Sequence, residues 1–85
     1  MEINKPYLFI ELNDKNFIFL IVKYDENFNY EIIDSHKAIS KGVSEGRITD
    51  VNIVSQIISQ YLKLIEKKNK VTIKSAIILS DQNNY

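Results

Sequence analysis

Three features of this chain use residue types on which chemistry depends: a lone histidine, a loop with two glycines, and a cluster of lysines. His36 is the only histidine, and cysteine is absent. An imidazole works as a base or a metal ligand when a nucleophile or further ligands stand beside it. No cysteine or carboxylate cluster lies at ligand spacing from His36 and no nucleophile is placed for it, so it reads as a strand-surface residue. Gly42 and Gly46 lie in Ser40-Lys41-Gly42-Val43-Ser44-Glu45-Gly46-Arg47-Ile48-Thr49-Asp50. Glycines before a helix invite a phosphate-loop reading, but the spacing is not that of Walker A and no lysine-hydroxyl pair follows Gly46. They read as residues that let the loop turn sharply. Lys67, Lys68 and Lys70 read as the end of a helix, where cations complement the negative pole of the dipole. These residues supply no catalytic centre and no metal-ligand set.

The helix implied by those lysines has the strongest signal in the chain. Val51, Val54, Ile57, Ile58, Tyr61, Leu62 and Ile65 recur at steps of three and four, which places them on one helical face. Ile53 and Leu64 flank this stripe and predict a helix well buried against a sheet. Asp50 is placed to cap its first turn, and Asn69 to end it.

The rest of the chain reads as strands. Tyr7–Leu12 and Phe17–Tyr24 are apolar runs joined by Asn13-Asp14-Lys15-Asn16, a turn by composition, which predicts an antiparallel hairpin. After a second turn, Asp25 to Asn29, a more polar strand over Tyr30–Ile39 is expected nearer an edge. A fourth strand is expected over Val71–Leu79. Tyr7, Tyr24, Tyr30 and Tyr61 read as packing residues with wet tips. A polar lead precedes Tyr7, and a polar tail follows from Asp81 to Tyr85. The fold class is therefore α/β: a small mixed sheet of about four strands in the order β-β-β-α-β, with one main helix on one face, in a single domain over 1–85. Phe17 to Val22 is apolar at six successive positions, and Tyr7 to Ile10 and Ala76 to Leu79 are also continuous. Strands of that kind are usually covered on both faces. One helix covers one face, so the second calls for more chain, a second copy or a partner.

Composition sets outer limits. Lysine plus arginine number 11 and aspartate plus glutamate number 11, for a formal charge of zero. This balance gives no electrostatic reason to expect nucleic acid or an anionic membrane as partner. The absence of cysteine excludes disulfides and thiolate metal sites and fits a reducing compartment. No secretory pattern opens the chain and no apolar run approaches the ~20 residues of a membrane span, so a cytoplasmic location is expected.

The β-β-β-α-β order with a hairpin first resembles the opening subdomain of actin/Hsp70-like ATPases, an actin-like or ribonuclease-H-like half domain. The Ser40-Lys41-Gly42 segment, Gly46, and Asp50 opening an apolar helix narrow the resemblance to the bacterial cell-division protein FtsA. Ile73 to Leu79 is similar to the strand that follows that helix. The resemblance covers nearly the whole chain but only about the first fifth of such a protein. It implies a cytoplasmic, actin-like component of the division ring. This segment would act by protein-protein interaction, with a tubulin-like ring protein or other divisome components as partners. Its place at the inner membrane face would come through the rest of a larger protein, without membrane contact of its own.

The resemblance also implies a first phosphate loop at Glu11, Leu12, Asn13, Asp14, Lys15 and Asn16. Asn13 stands where the family has glycine, and Asp14 where it has a hydroxyl residue. A carboxylate at that place repels a phosphate unless a metal intervenes. Lys15 lies one position early for a phosphate contact, and Glu11 is placed to orient a magnesium-bound water. Glu11, Asn13, Asp14 and Lys15 are thus candidates for a remnant cofactor loop, against the reading of an ordinary hairpin turn. No cofactor is expected in this chain alone; ATP and magnesium enter only if a larger protein completes the site. The alternatives are a free-standing module that forms a homodimer through its sheet face or fourth-strand edge, and an actin-like pilus-assembly protein.

Overall fold

A computed structural model describes residues 5–80, so residues 1–4 of the polar lead and the whole polar tail, residues 81–85, lie outside the described residues. The elements are β1 (Tyr7–Leu12), β2 (Asn16–Tyr24), β3 (Tyr30–Ile39), β4 (Val43–Ser44), β5 (Arg47–Ile48), α1 (Val51–Asn69) and β6 (Ala76–Ser80). Four strands form one mixed sheet in the order β3-β2-β1-β6. β1, β2 and β3 pair antiparallel in succession, and β6 returns through α1 to lie parallel to β1. The α/β sheet with one helix on one face is as the sequence implies, with β3 and β6 at the edges.

Alternation along the strands sorts the side chains into two faces. Leu8, Ile10 and Leu12 of β1 and Phe17, Phe19 and Ile21 of β2 point toward α1, where they join Ala38, Val54 and Ile65 in one buried cluster. Ile57, Ile58, Tyr61 and Leu62 of the helix close over it. The Tyr61 ring stacks on Phe19, with centroids 5.0 Å apart and planes 10° apart. Val51, Ile53 and Leu64 are exposed, contrary to the broad buried stripe that the sequence suggested. A straight helix on a single sheet buries one line of residues, and Ile53 and Leu64 fall to its side, while Val51 lies in line but is the first residue of the helix.

Both ends of α1 are capped. The Asp50 carboxylate accepts from the Ile53 N–H at 3.2 Å. The helix ends at Asn69 as expected, and Lys70 caps it in a left-handed conformation, its N–H donating to the Glu66 carbonyl. The chain then stays irregular through residue 75, so the last strand is shorter than the Val71–Leu79 span expected from sequence. Glu66 explains this. Its carbonyl also accepts from the Val71 N–H at 3.1 Å, and its carboxylate accepts from the Ile73 N–H at 2.8 Å. Ile73 packs on the buried cluster and its amide is committed to the helix, so pairing with β1 begins only at Ala76.

The loop before the helix holds the miniature hairpin β4–β5, a feature absent from the sequence reading. Val43 pairs with Ile48 and Ser44 with Arg47, leaving Glu45 and Gly46 as a two-residue turn. Both turn residues have positive φ, 53° and 74°, as a type I′ hairpin turn requires. The Gly42 carbonyl accepts from the Thr49 N–H at 2.7 Å and the Asp50 N–H at 3.1 Å, which docks the hairpin on the helix start.

Candidate functional site

The turn between β1 and β2 holds three of the four candidate loop residues, and several of its polar groups are bonded within the chain. The Asn13 side-chain oxygen accepts from the backbone N–H of Lys15 at 3.1 Å and of Asn16 at 2.8 Å. This is an Asx turn, which folds the chain back without a ligand. The Asp14 carboxylate accepts from the Gly46 N–H at 2.8 Å, tying this turn to the β4–β5 hairpin. The Lys15 carbonyl accepts from the Ser40 N–H at 3.1 Å. Two amides of the first turn and one of the glycine loop are therefore bonded to acidic or amide side chains. Glu11 stands apart from this network. It is exposed and lies on the sheet face opposite the helix. Among the described residues no group of three or more histidines, aspartates or glutamates is placed to hold a metal ion.

His36 lies elsewhere than on the strand surface expected for it. It pairs with Phe19 across β2–β3 and therefore faces the helix. Its Nε2 is 3.0 Å from the Asp34 carboxylate, and its ring meets the edge of Tyr61 at 6.4 Å. The Asn69 amide donates to the same carboxylate at 2.9 Å and Lys68 reaches it at 3.3 Å. Asp34 thus fastens the middle of β3 to the end of α1. The reversal has a local cause. A register shift opposite Ile21 and Val22 makes Ile33 a bulge residue, so Ile33 and Asp34 both point inward and His36 and Ala38 follow on that side.

Hydrogen bonds from Asn69 first, then from His36, Lys68 and the Ser35 amide, hold the Asp34 carboxyl well below the usual carboxylate range, against an opposing desolvation effect. A carboxylate with a depressed folded pKa contributes stability above its unfolded pKa, about 3.9, and loses that contribution as pH falls below it. Asp34→Asn is therefore expected to cost about 1–3 kcal/mol at neutral pH. The gap between variant and wild type is expected to narrow below about pH 4. Urea melts across a pH series measure this; a gap that stays constant with pH contradicts it.

The largest feature without an internal partner is the other face of the sheet. Tyr7, Phe9 and Glu11 of β1 alternate with the buried set, as do Ile18, Leu20 and Tyr24 of β2; Val22 lies on the same side but is itself buried, at 5% exposure. The strand register carries the surface on to Ile32 and Tyr30 of β3 and to Ile77 and Leu79 of β6. The buried cluster and every apolar side chain packed against it belong to the helix side. Ile32, Tyr30 and Leu79 are exposed by half or more. A groove lined by Phe9, Leu20, Val22, Tyr24, Tyr30 and Ile32 runs along this face. Edge-on packing of Tyr7 against Tyr24, centroids 6.1 Å apart, and the tilted Tyr24–Tyr30 pair at 6.5 Å stiffen one end of it. The unbroken apolar runs of β1 and β2 were the signal of this face. Among the described residues no helix is long and apolar enough to cross a membrane. No protein-family model matches the chain, and no curated protein matches it.

Proposed function

We propose that this domain works by binding protein through the open sheet face, as the opening subdomain of an actin-like protein of the FtsA type. The observation that carries the reading is that face: two strands apolar on both sides, with a helix over only one of them. Contiguous exposed apolar surface of this kind marks an interaction site in a folded protein. The hairpin-first sheet, with α1 leading to a β6 parallel to β1, supports the actin-like part of the reading. The self-bonded Asn13 and Asp14 turn favours binding over nucleotide chemistry. In this reading the partners are division-ring proteins, and ATP and magnesium would be handled by residues beyond this segment.

The test is dye binding by the folded chain at submicromolar concentration. The wild type is expected to bind a hydrophobic fluorescent dye while keeping a cooperative melt. Leu20→Asp, on the open face, is expected to abolish dye binding with its circular dichroism unchanged. A folded monomer that binds no dye overturns the reading.

A further inference from the structure

The open face carries its own instruction for what covers it. Strand register places Lys37, Ile18, Glu11 and Leu79 in one row across the sheet. Lys37 on β3 and Glu11 on β1 flank Ile18 of β2 at equal distances, about 5 Å to either side. Neither has an ion pair among the described residues. They bring opposite charges to a surface that is otherwise apolar or neutral in the neighbouring rows, Ser35-Leu20-Phe9 and Ile32-Val22-Tyr7.

We propose that the occupant of this face is a second copy of the chain, stacked sheet on sheet about a two-fold axis that runs along β2. This rests on one part of the reading above, that the open face binds protein, and not on the actin-like part of it. A two-fold axis parallel to β2 keeps each row at its own height and exchanges left with right. Ile18 and Leu20 then meet their own copies, and β3 of one chain lies over β1 of the other. Lys37 therefore stands over Glu11 of the second copy, and the symmetry makes the pair twice. Stacked sheets lie about 10 Å apart, a gap that a lysine and a glutamate reaching toward each other span. An axis between β1 and β2 is the competing arrangement. It would press Glu11 onto Ile18 and Lys37 onto Leu79, burying two charges on each copy without partners, which is costly. Charge complementarity therefore selects the axis over β2, in the way that it sets register at interfaces generally.

The three strands involved give a contact of about 15 by 25 Å on each copy. That is about 750 Å² over the two copies, below the usual range for a stable specific interface, so a weak, reversible, concentration-dependent dimer is expected.

Sedimentation equilibrium over a concentration series tests this, with dye binding followed in the same samples. The wild type is expected to pass from 9.9 kDa to twice that mass as concentration rises, losing dye binding as it does. Glu11→Lys and Lys37→Glu, each placing like charges opposite one another, are expected to weaken association about tenfold or more. The double variant Glu11→Lys with Lys37→Glu restores the pairs and is expected to recover it. Both positions are on the surface away from the core, and circular dichroism checks that each variant folds. A wild type that stays monomeric and binds dye at every concentration overturns the second copy but leaves the binding face standing. A wild-type monomer that binds no dye overturns both. A dimer that the double swap fails to restore overturns the axis along β2.

Discussion

Phe19→Ala is expected to remove roughly half of the chain's stability. Phe19 is completely buried at the centre of the sheet, and Tyr61 lies flat against it. Truncating such a ring removes its own burial and leaves a cavity, at a cost of about 3–5 kcal/mol. A domain of 85 residues has about 5–10 kcal/mol in total. The loss also reaches the helix, because the Tyr61 ring loses the surface it stacks on. The melting temperature is expected to fall by about 15 °C or more. Phe19→Leu keeps more of the volume and is expected to fall between the two. Thermal melts followed by circular dichroism decide it. An alanine variant melting with the wild type would mean that the helix does not rest on Phe19.

The second large effect is expected at Gly42. Its φ is +77°, a conformation that side chains rarely adopt. A Cβ there would also stand 2.8 Å from the Asp50 carbonyl oxygen and 3.1 Å from a Val54 methyl. Asp50 caps the helix and Val54 is in the buried cluster, so neither yields easily. The Gly42 carbonyl meanwhile holds the Thr49 and Asp50 amides. Gly42→Ala is expected to cost about 2–4 kcal/mol, from the backbone conformation and the clash together. Gly46 makes the contrast. Its φ of +74° lies in the turn of a short hairpin, and asparagine tolerates that conformation. Gly46→Asn is therefore expected to cost under about 1 kcal/mol. Urea denaturation of the two variants gives the comparison; equal losses would show that the close approach at Gly42 plays no part.

These two residues mark how far the sequence could be read. The apolar runs, the turn composition and the three-four spacing of α1 gave the sheet, the hairpin and the helix, because each is a local pattern with one dominant period. The β3 segment was legible in extent but not in facing. Its inward set is Ile33, Asp34, His36 and Ala38, and the bulge that produces it has no signature in residues alternating between polar and apolar. Hence His36 was assigned to the surface and the Asp34 cluster was missed. Asp34 and Asn69 are 35 residues apart, and only the crossing of helix and strand brings them together. The β4–β5 hairpin had a signal in Glu45-Gly46 between Val43-Ser44 and Arg47-Ile48, but two-residue strands are too short to show alternation. The end of the fourth strand nearest the helix was misread for a different reason. Val71 and Ile73 have strand-like spacing, yet Glu66 binds the chain there from the helix.

For the candidate site the position differs between its two parts. The need for cover on the second sheet face was legible from unbroken apolar strands. The bonding of the β1–β2 turn was not, since Asn13 and Asp14 serve equally as turn residues and as a degenerate phosphate loop until the positions of Lys15, Asn16 and Gly46 are known. Glu11, a candidate to orient a magnesium-bound water, lies on the open face, in one row with Ile18 and Lys37.

The central claim is that one sheet face is sealed by α1 while the other is an open binding surface. Carbene footprinting of the folded chain, at a concentration where it is monomeric, measures this residue by residue. Heavy labelling of Phe9, Leu20 and Ile32 is expected, with little at Ile10, Phe19 and Ile21, their neighbours on β1 and β2. Equal protection of both sets in the monomer would mean that the second face is already covered from within the chain, and would contradict the account.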